Sequence, residues 1–149
     1  MRSLLTRSTA VILFVASVGA CVSSTEPEEA LTVTPAASQY ARDSLGFAVI
    51  TFRVSNAGRS TVYLSTCGST VSAQFEQRAA SAFWATSFAS SGCYLSFNAG
   101  PYRLEPGQSV QGVQSGRFTP GEYRLSVPVS LSATADANRV ARSGSIRIL

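Results

Sequence analysis

The feature that most restricts the fold of this chain is an alternation of apolar and polar side chains near its C-terminal end. The apolar positions are Tyr123, Leu125, Val127, Val129 and Leu131. A strand directs every second side chain to the same face, whereas a helix would scatter this pattern around its circumference. The segment therefore predicts a strand with these five side chains directed inward. Because Pro128 has no amide hydrogen, we expect the strand to lie at a sheet edge or to be bulged there.

A period of two recurs elsewhere after residue 30, and no window there has a convincing helical period. In the segment 46–55 the inward positions are Ala48, Ile50, Phe52 and Val54. Shorter strands are predicted at 31–33, 61–66, 71–78, 82–86, 93–97, 108–115 and 140–148, of which 108–115 is polar and expected to be exposed. The alanine-rich segment 76–91 could instead hold a helical turn. Seven to nine short strands with frequent turns predict an all-β fold, an antiparallel β-sandwich with Greek-key connections.

Four short motifs follow one another in a recognisable order between residues 46 and 130. They are FRVSNAG at 52–58, FW at 83–84, LEPGQ at 104–108 and PGEY at 120–123. This order resembles exported bacterial immunoglobulin-like (Ig-like) domains, and it is also similar to bacterial proteinase-inhibitor domains. The resemblance implies an Ig-like sandwich in which Tyr123 is a tyrosine corner, with its hydroxyl bonded to upstream backbone.

The first twenty residues have the pattern of an export signal. An apolar run at 10–20 is too short for a spanning helix, which needs about 20 apolar residues. The sequence VGAC at 18–21 resembles the lipobox of bacterial lipoproteins. That resemblance implies cleavage of residues 1–20 and attachment of acyl chains such as palmitate to Cys21, which anchor the protein to a membrane. The alternative is an ordinary cleaved signal followed by an incidental cysteine.

The segment 21–30 joins the lipidated cysteine to the domain at 31–149. It contains three of the eight acidic residues, and its polar composition predicts a flexible tether. Residue 22 is Val. In lipoproteins resembling this one an Asp at that position retains the protein at the inner membrane. We therefore expect a cell-envelope location, at the outer rather than the inner membrane in a cell that has both.

The domain from Leu31 onward carries ten Arg and five acidic residues, a net charge of +5. Either the surplus is a solvated surface, or it contacts an acidic surface or lipid headgroups. The arginines lie singly and without interleaved aromatic residues, so the pattern disfavours nucleic acid as a partner.

The sequence contains few candidate catalytic residues. The chain has no His, which removes the commonest general base and metal ligand. The domain's carboxylates are expected to be solvated turn residues: Asp43, Glu76, Glu105, Glu122 and Asp136. Neither a nucleophile elbow nor a glycine-rich phosphate loop is present in the sequence. We therefore predict a protein that is not an enzyme, with no catalytic residue, no cofactor and no metal.

Two cysteines remain after lipidation of Cys21. In an exported domain an even count predicts a disulfide between Cys67 and Cys93. The alternative, a redox or metal pair, lacks the neighbouring ligands that such sites use.

The segment between these cysteines contains the aromatic residues Phe83, Trp84 and Phe88. A lone Trp in a sandwich is more often found in the core or packed over the disulfide than on an exposed platform. These three aromatic residues are the candidate binding surface if they are exposed. The sequence thus predicts a membrane-anchored protein-binding or accessory module whose protein partner it does not name. The resemblance leaves a proteinase inhibitor as the alternative.

Overall fold

A computed structural model describes residues 30–87, 100–134 and 136–149. Predictions for residues 1–29, for the strand at 93–97 and for Cys21, Phe88 and Cys93 lie outside these ranges. The described residues contain no helix, and hence none that could cross a membrane. Their strands are β1 (Leu31–Pro35), β2 (Gln39–Tyr40), β3 (Phe47–Asn56), β4 (Val62–Leu64), β5 (Thr66–Cys67), β6 (Thr70–Val71), β7 (Gln74–Arg78), β8 (Trp84–Ser87), β9 (Tyr102–Leu104), β10 (Ser109–Arg117), β11 (Gly121–Ser130), β12 (Arg139–Arg142) and β13 (Ile146–Ile148).

Eleven of these strands form two main layers, and β5 and β6 pair with each other in a separate two-stranded sheet. The small sheet has the order β1-β3-β10. In the large sheet β11 is central, with β12 and β13 along one side and β7 and β4 along the other, while β9, β8 and β2 pair at the margins. All pairs are antiparallel except β2 with β13. The chain leaves the small sheet for β2 and returns to it for β3. It changes between these sheets again from β3 to β4, from β9 to β10 and from β10 to β11, which confirms the predicted all-β sandwich with Greek-key connections.

The core lies between the two sheets and is built from alternate side chains of both. The four inward positions predicted in β3 are all buried. Phe118 packs edge-to-face against Phe75 and Tyr123, with ring centroids 4.7 and 5.4 Å apart. The hydroxyl of Tyr123 donates to the backbone oxygen of Thr119 at 3.0 Å, so the predicted tyrosine corner is present.

Strand β10 corrects the prediction of a polar, exposed strand at 108–115. Its inward positions Gly112, Gln114 and Gly116 are buried. A Cβ atom at Gly112 would lie 2.3 Å from Cζ of Phe52, so the ring packs directly against the β10 backbone. Core packing therefore requires glycine at this position. A search for apolar side chains does not identify such a residue as part of the core.

Strand β11 corrects two predictions. It is central in its sheet rather than at an edge, and Pro128 lies between Ser126, the last residue paired with β7, and Val129, the first paired with β4. A residue without an amide hydrogen is therefore placed where the neighbouring strand changes. The strand ends at Ser130, and Leu131 is 44% exposed rather than inward.

The number of strands exceeds the predicted seven to nine, because several predicted strands are interrupted and because the sequence did not predict β2 and β9. The segment 61–66 divides between β4 and β5, and 71–78 divides between β6 and β7. The helical alternative is wrong for 76–87, where β7 and β8 form a hairpin. Positions 88–91 lie outside the described residues.

Candidate functional site

The β7–β8 hairpin, called here the aromatic hairpin (residues 74–87), pairs in register from Phe75 with Ser87 to Arg78 with Trp84. Two backbone hydrogen bonds hold its tip: the amide of Ala79 donates to the oxygen of Phe83 at 2.8 Å, and that of Ala82 to the oxygen of Ala79 at 2.9 Å. The tip is therefore a defined turn.

Ala82 closes this turn in the left-handed region, with φ of 65°. That conformation costs a residue with a Cβ about 1–2 kcal/mol, which is why glycine usually occupies such positions. Among the described residues Ala82 is the one non-glycine residue with positive φ. Strain held at a loop tip is more often found at functional sites than elsewhere.

Phe83 follows the strained residue and is 74% exposed. Trp84 is partly exposed, and the guanidinium of Arg124 lies 4.5 Å from the centroid of its ring. The core interpretation of Trp84 is therefore wrong: it pairs with Arg78 on the outward face of the hairpin, opposite in phase to the buried Phe75. Two of the three predicted binding residues thus lie together at the surface, and Phe88 lies outside the described ranges.

A row of charges flanks the aromatic hairpin on the outward face of the large sheet. We call this the ionic ladder; its members are Glu76, Arg78, Glu122, Arg124 and Arg142. Glu76 accepts from Arg124, its direct cross-strand partner, and from Arg142 at 3.2 Å. Arg78 pairs with Glu122 at 2.9 Å. The prediction of solvated turn carboxylates is wrong for both glutamates, because each lies on a strand and is held by arginine.

These contacts change the acidity of both carboxyl groups. Burial alone would raise the pKa of Glu76, but hydrogen bonds from Arg124 and Arg142 outweigh it, and the net pKa is lowered. The pKa of Glu122 is lowered mainly by the hydrogen bond from Arg78, with a further one from Ser145. Both groups are therefore suited to remain ionised partners.

Two further carboxylates are engaged in turns. Oδ1 of Asp43 accepts from the amides of Leu45 at 2.9 Å and Phe47 at 2.8 Å. Glu105 accepts from the hydroxyl of Thr61 at 2.8 Å and pairs with Arg103 at 2.8 Å. Within the described ranges no three His, Cys, Asp or Glu side chains are grouped as metal ligands would be. The contacts of these carboxylates are those of side chains that shape turns.

Sequence reasoning missed the outward side of the small sheet, called here the small-sheet face (outward residues of β1, β3 and β10). It exposes Phe47, Val49 and Val113, at 44%, 60% and 42%. Arg53 and Arg117 are exposed on the same face. The sequence did contain one indication of this face. At the start of the segment 46–55 the outward positions Phe47 and Val49 are apolar as well as the inward ones, whereas a strand with one solvated face usually has polar residues there.

Neither family models nor curated proteins match this chain. Among solved structures, the Northeast Structural Genomics Consortium target SoR45 has 12% identity over 80% of this chain and 85% of its own, with a TM-score of 0.48. A Pseudomonas fluorescens alkylpurine DNA glycosylase, AlkC, has 9% identity and a TM-score of 0.39, and the Vibrio cholerae VesB protease has 18% and 0.37. Each match covers 80% of this chain, but only 30% of the glycosylase and 31% of the protease. Likeness at this level does not assign the chain to a family.

Proposed function

We propose that this protein is a lipid-anchored, non-enzymatic Ig-like lipoprotein of the cell envelope that binds a partner protein through the aromatic hairpin. The proposal rests on Phe83, which is 74% exposed and directly follows the left-handed Ala82. Both residues lie in a turn that backbone hydrogen bonds hold. A rigid, exposed aromatic side chain loses little entropy on binding and is a common anchor at protein interfaces.

The position of the hairpin in the fold supports this role. Strand β1 starts beside Asn56, at the end of the sandwich where β3 and β11 finish. The hairpin tip lies at the other end, because Arg78 next to the tip binds Glu122 near the start of β11. A tether that enters at β1 would therefore leave the aromatic hairpin directed away from its point of attachment.

A photo-crosslinking residue at position 83 of the full chain, expressed in its own cell envelope, tests this proposal. We expect an adduct with a defined protein, identified by mass spectrometry and lost when Trp84→Ala is added. The same crosslinker at Leu131, which is exposed at the opposite end, should not form that adduct. Identical adducts from both positions, or none from position 83, would contradict the proposal.

The anchor is tested separately at Cys21. Mass spectrometry of the mature protein should show acyl chains on this residue, and Cys21→Ser should leave the protein in the aqueous rather than the detergent phase. An unmodified Cys21 in mature protein would refute the anchor and leave the hairpin's role to be judged on crosslinking alone.

We also propose the disulfide between Cys67 and Cys93. Cys67 is on β5, directly before the stretch of chain that includes the aromatic hairpin. In the chain-entropy model, closing a loop of about 26 residues stabilises a fold by roughly 3.5 kcal/mol. Alkylation of the exported protein without reductant should label neither cysteine, and labelling of both would rule out the bridge.

A proteinase inhibitor is the second candidate, favoured by the protrusion of Phe83 on a fixed turn. An inhibitor of this kind would block a protease at micromolar concentration, and Phe83→Ser would abolish the block. No inhibition across serine, cysteine and metalloproteases would remove this candidate. Turnover of a substrate by the purified protein in a broad hydrolase screen would instead contradict the non-enzymatic proposal.

A further inference from the structure

We infer that the small-sheet face lies on the anionic membrane surface to which the protein is anchored. This inference rests on the proposed function for the anchor. It goes beyond that function by assigning a second surface, with a lipid partner and a fixed orientation of the domain.

The first observation is where the surplus positive charge lies. Four of the domain's ten arginines form ion pairs: Arg78, Arg103, Arg124 and Arg142. The six without an ion pair among the described residues are Arg42, Arg53, Arg59, Arg117, Arg139 and Arg147. Two of these six, Arg53 and Arg117, lie on the small-sheet face, and the outward residues of its three strands include no carboxylate. Neither of these two arginines forms an ion pair with a described residue.

The second observation is the apolar surface between these arginines. Val49 lies opposite Ser115, and so between Val113 and Arg117 on the neighbouring strand. Phe47 lies opposite Arg117, and Arg117 also lines a groove of about 360 Å³ together with Arg42, Asp43 and Leu45. Oδ1 of Asp43 accepts from the amides of Leu45 and Phe47. Exposed apolar side chains mixed with more arginine than acid suit a lipid interface, where the apolar groups enter the headgroup boundary and the arginines contact phosphates.

The third observation is the place where the tether enters. Ala30 directly precedes β1, which is an edge strand of the small sheet itself. The tether from Cys21 to residue 29 has nine residues, and a chain of that length spans at most about 30 Å. The anchor would therefore hold this face near the bilayer at a high effective concentration. An acidic protein would meet the same charges, but the tether favours the membrane as occupant.

This orientation agrees with the proposed role of the aromatic hairpin. Trp84 and the ionic ladder face outward from the large sheet, on the opposite side of the sandwich. With the small-sheet face on lipid, the hairpin is directed toward the space where a partner protein can reach it.

Vesicle co-sedimentation of the mature-length chain, residues 21–149 with Cys21→Ser, tests the inference without the lipid anchor. We expect binding to vesicles of phosphatidylglycerol and phosphatidylcholine, weaker binding to phosphatidylcholine alone, and a decrease with added salt. An arginine near an anionic surface contributes about fivefold in partitioning, so R53Q/R117Q should lower binding about 25-fold. F47S/V49S should also lower binding to the mixed vesicles.

The matched control is R139Q/R147Q, which removes the same charge from the large sheet at two arginines that, like Arg53 and Arg117, form no ion pair with the described residues. Near-wild-type binding by this control, with loss in R53Q/R117Q at an unchanged melting temperature, supports the inference. Equal loss in both doubles, equal binding to both vesicle types, or no binding would overturn it. The inference would also be overturned if the protein formed dimers in solution that R53Q/R117Q or F47S/V49S dissociates, because a second copy would then occupy the small-sheet face. Acylation of Cys21 is measured separately, so failure of the anchor is distinguishable from failure of this inference.

Discussion

The two outward faces of the sandwich differ in whether their charged side chains form ion pairs. On the large sheet, Glu76 is shared by Arg124 and Arg142, and Glu122 is held by Arg78. On the small-sheet face, the register places Arg53 opposite Thr34 and Gln111, and Arg117 opposite Phe47. The large sheet pairs both of these glutamates with arginines, whereas neither arginine of the small-sheet face forms an ion pair with a described residue. Partnered charges stabilise the fold, whereas unpartnered ones remain available to something outside it.

Cross-strand register is the physical origin of this difference. Side chains directly opposite on neighbouring strands have Cβ atoms about 4.5–5.5 Å apart, close enough for Glu76 to meet Arg124. The same spacing brings Val49 to a serine rather than to a carboxylate. Substitutions on each layer can therefore test whether the two faces differ in what they contribute to stability.

The largest expected effect comes from the interior side of the small sheet. Gly112→Val places atoms where the ring of Phe52 already lies, 2.3 Å from the position of the new Cβ. We expect the free energy of unfolding to fall by about 2–4 kcal/mol, because a packed core yields only by displacing β10 from β3. Urea denaturation measures this loss.

Gly144→Ala is the matched control, since no atom lies within 4 Å of the Cβ it would add. Its unfolding free energy should stay within about 0.5 kcal/mol of wild type. If Gly112→Val were equally mild, the contact between Phe52 and the β10 backbone would not hold the small sheet together.

The next effect belongs to the ionic ladder. Glu76→Gln should lower the unfolding free energy at pH 7 by about 1–2 kcal/mol, because it weakens two charged hydrogen bonds to a side chain that is only 12% exposed. The folded pKa of Glu76 is lowered, so its stabilising effect is present above the unfolded pKa of about 4.3 and disappears as the pH falls through the folded value.

The difference between wild type and Glu76→Gln should therefore narrow from pH 7 to pH 3 in urea denaturation. Asp136→Asn removes an exposed carboxylate and should show a small difference at every pH. A gap for Glu76→Gln that stays constant with pH would mean that ion pairing is not what Glu76 contributes.

Much of the sandwich could be predicted because its strands bury one phase of a simple alternation. Strand β3 follows this rule, and the inward Ile146 and Ile148 of β13 do as well. The rule fails where the inward residue is small or polar, as at Gly112 and Gln114, since burial there depends on the facing residue. For Pro128 the sequence predicts a sheet edge or a bulge, because it does not show that the strand beside β11 changes there.

The candidate site could be predicted only in part. Phe83 and Trp84 were recognisable as aromatic residues in an irregular segment, but their exposure depends on the phase of the hairpin. The partners of Glu76 lie 48 and 66 residues away along the chain, so no local pattern indicates them. The small-sheet face was missed because three strands contribute to it and each alone has few apolar outward residues.

A smaller effect should come from the hairpin tip, in the direction of greater stability. Ala82→Gly relieves the left-handed strain and should raise the unfolding free energy by about 0.5–1 kcal/mol. Ala80→Gly, in the same turn but without positive φ, should lower it by a similar amount. Thermal unfolding of the pair gives the comparison, and a loss of stability in Ala82→Gly would show that the strain is absent.

The smallest effect on stability should come from Val49→Thr, which tests whether the small-sheet face is free of packing. The two side chains have nearly the same shape, and Val49 is 60% exposed, so the added hydroxyl can remain hydrated. We expect the unfolding free energy to change by less than about 0.5 kcal/mol. Val54→Thr makes the same change on the buried side of the same strand and should cost about 1–3 kcal/mol, because its hydroxyl loses water without gaining a partner. Urea denaturation of the two variants compares the loss of unfolding free energy on the outward and inward faces of β3. A loss above 1 kcal/mol at Val49 would mean that this side chain supports the fold, and its exposure would then need no external partner to explain it.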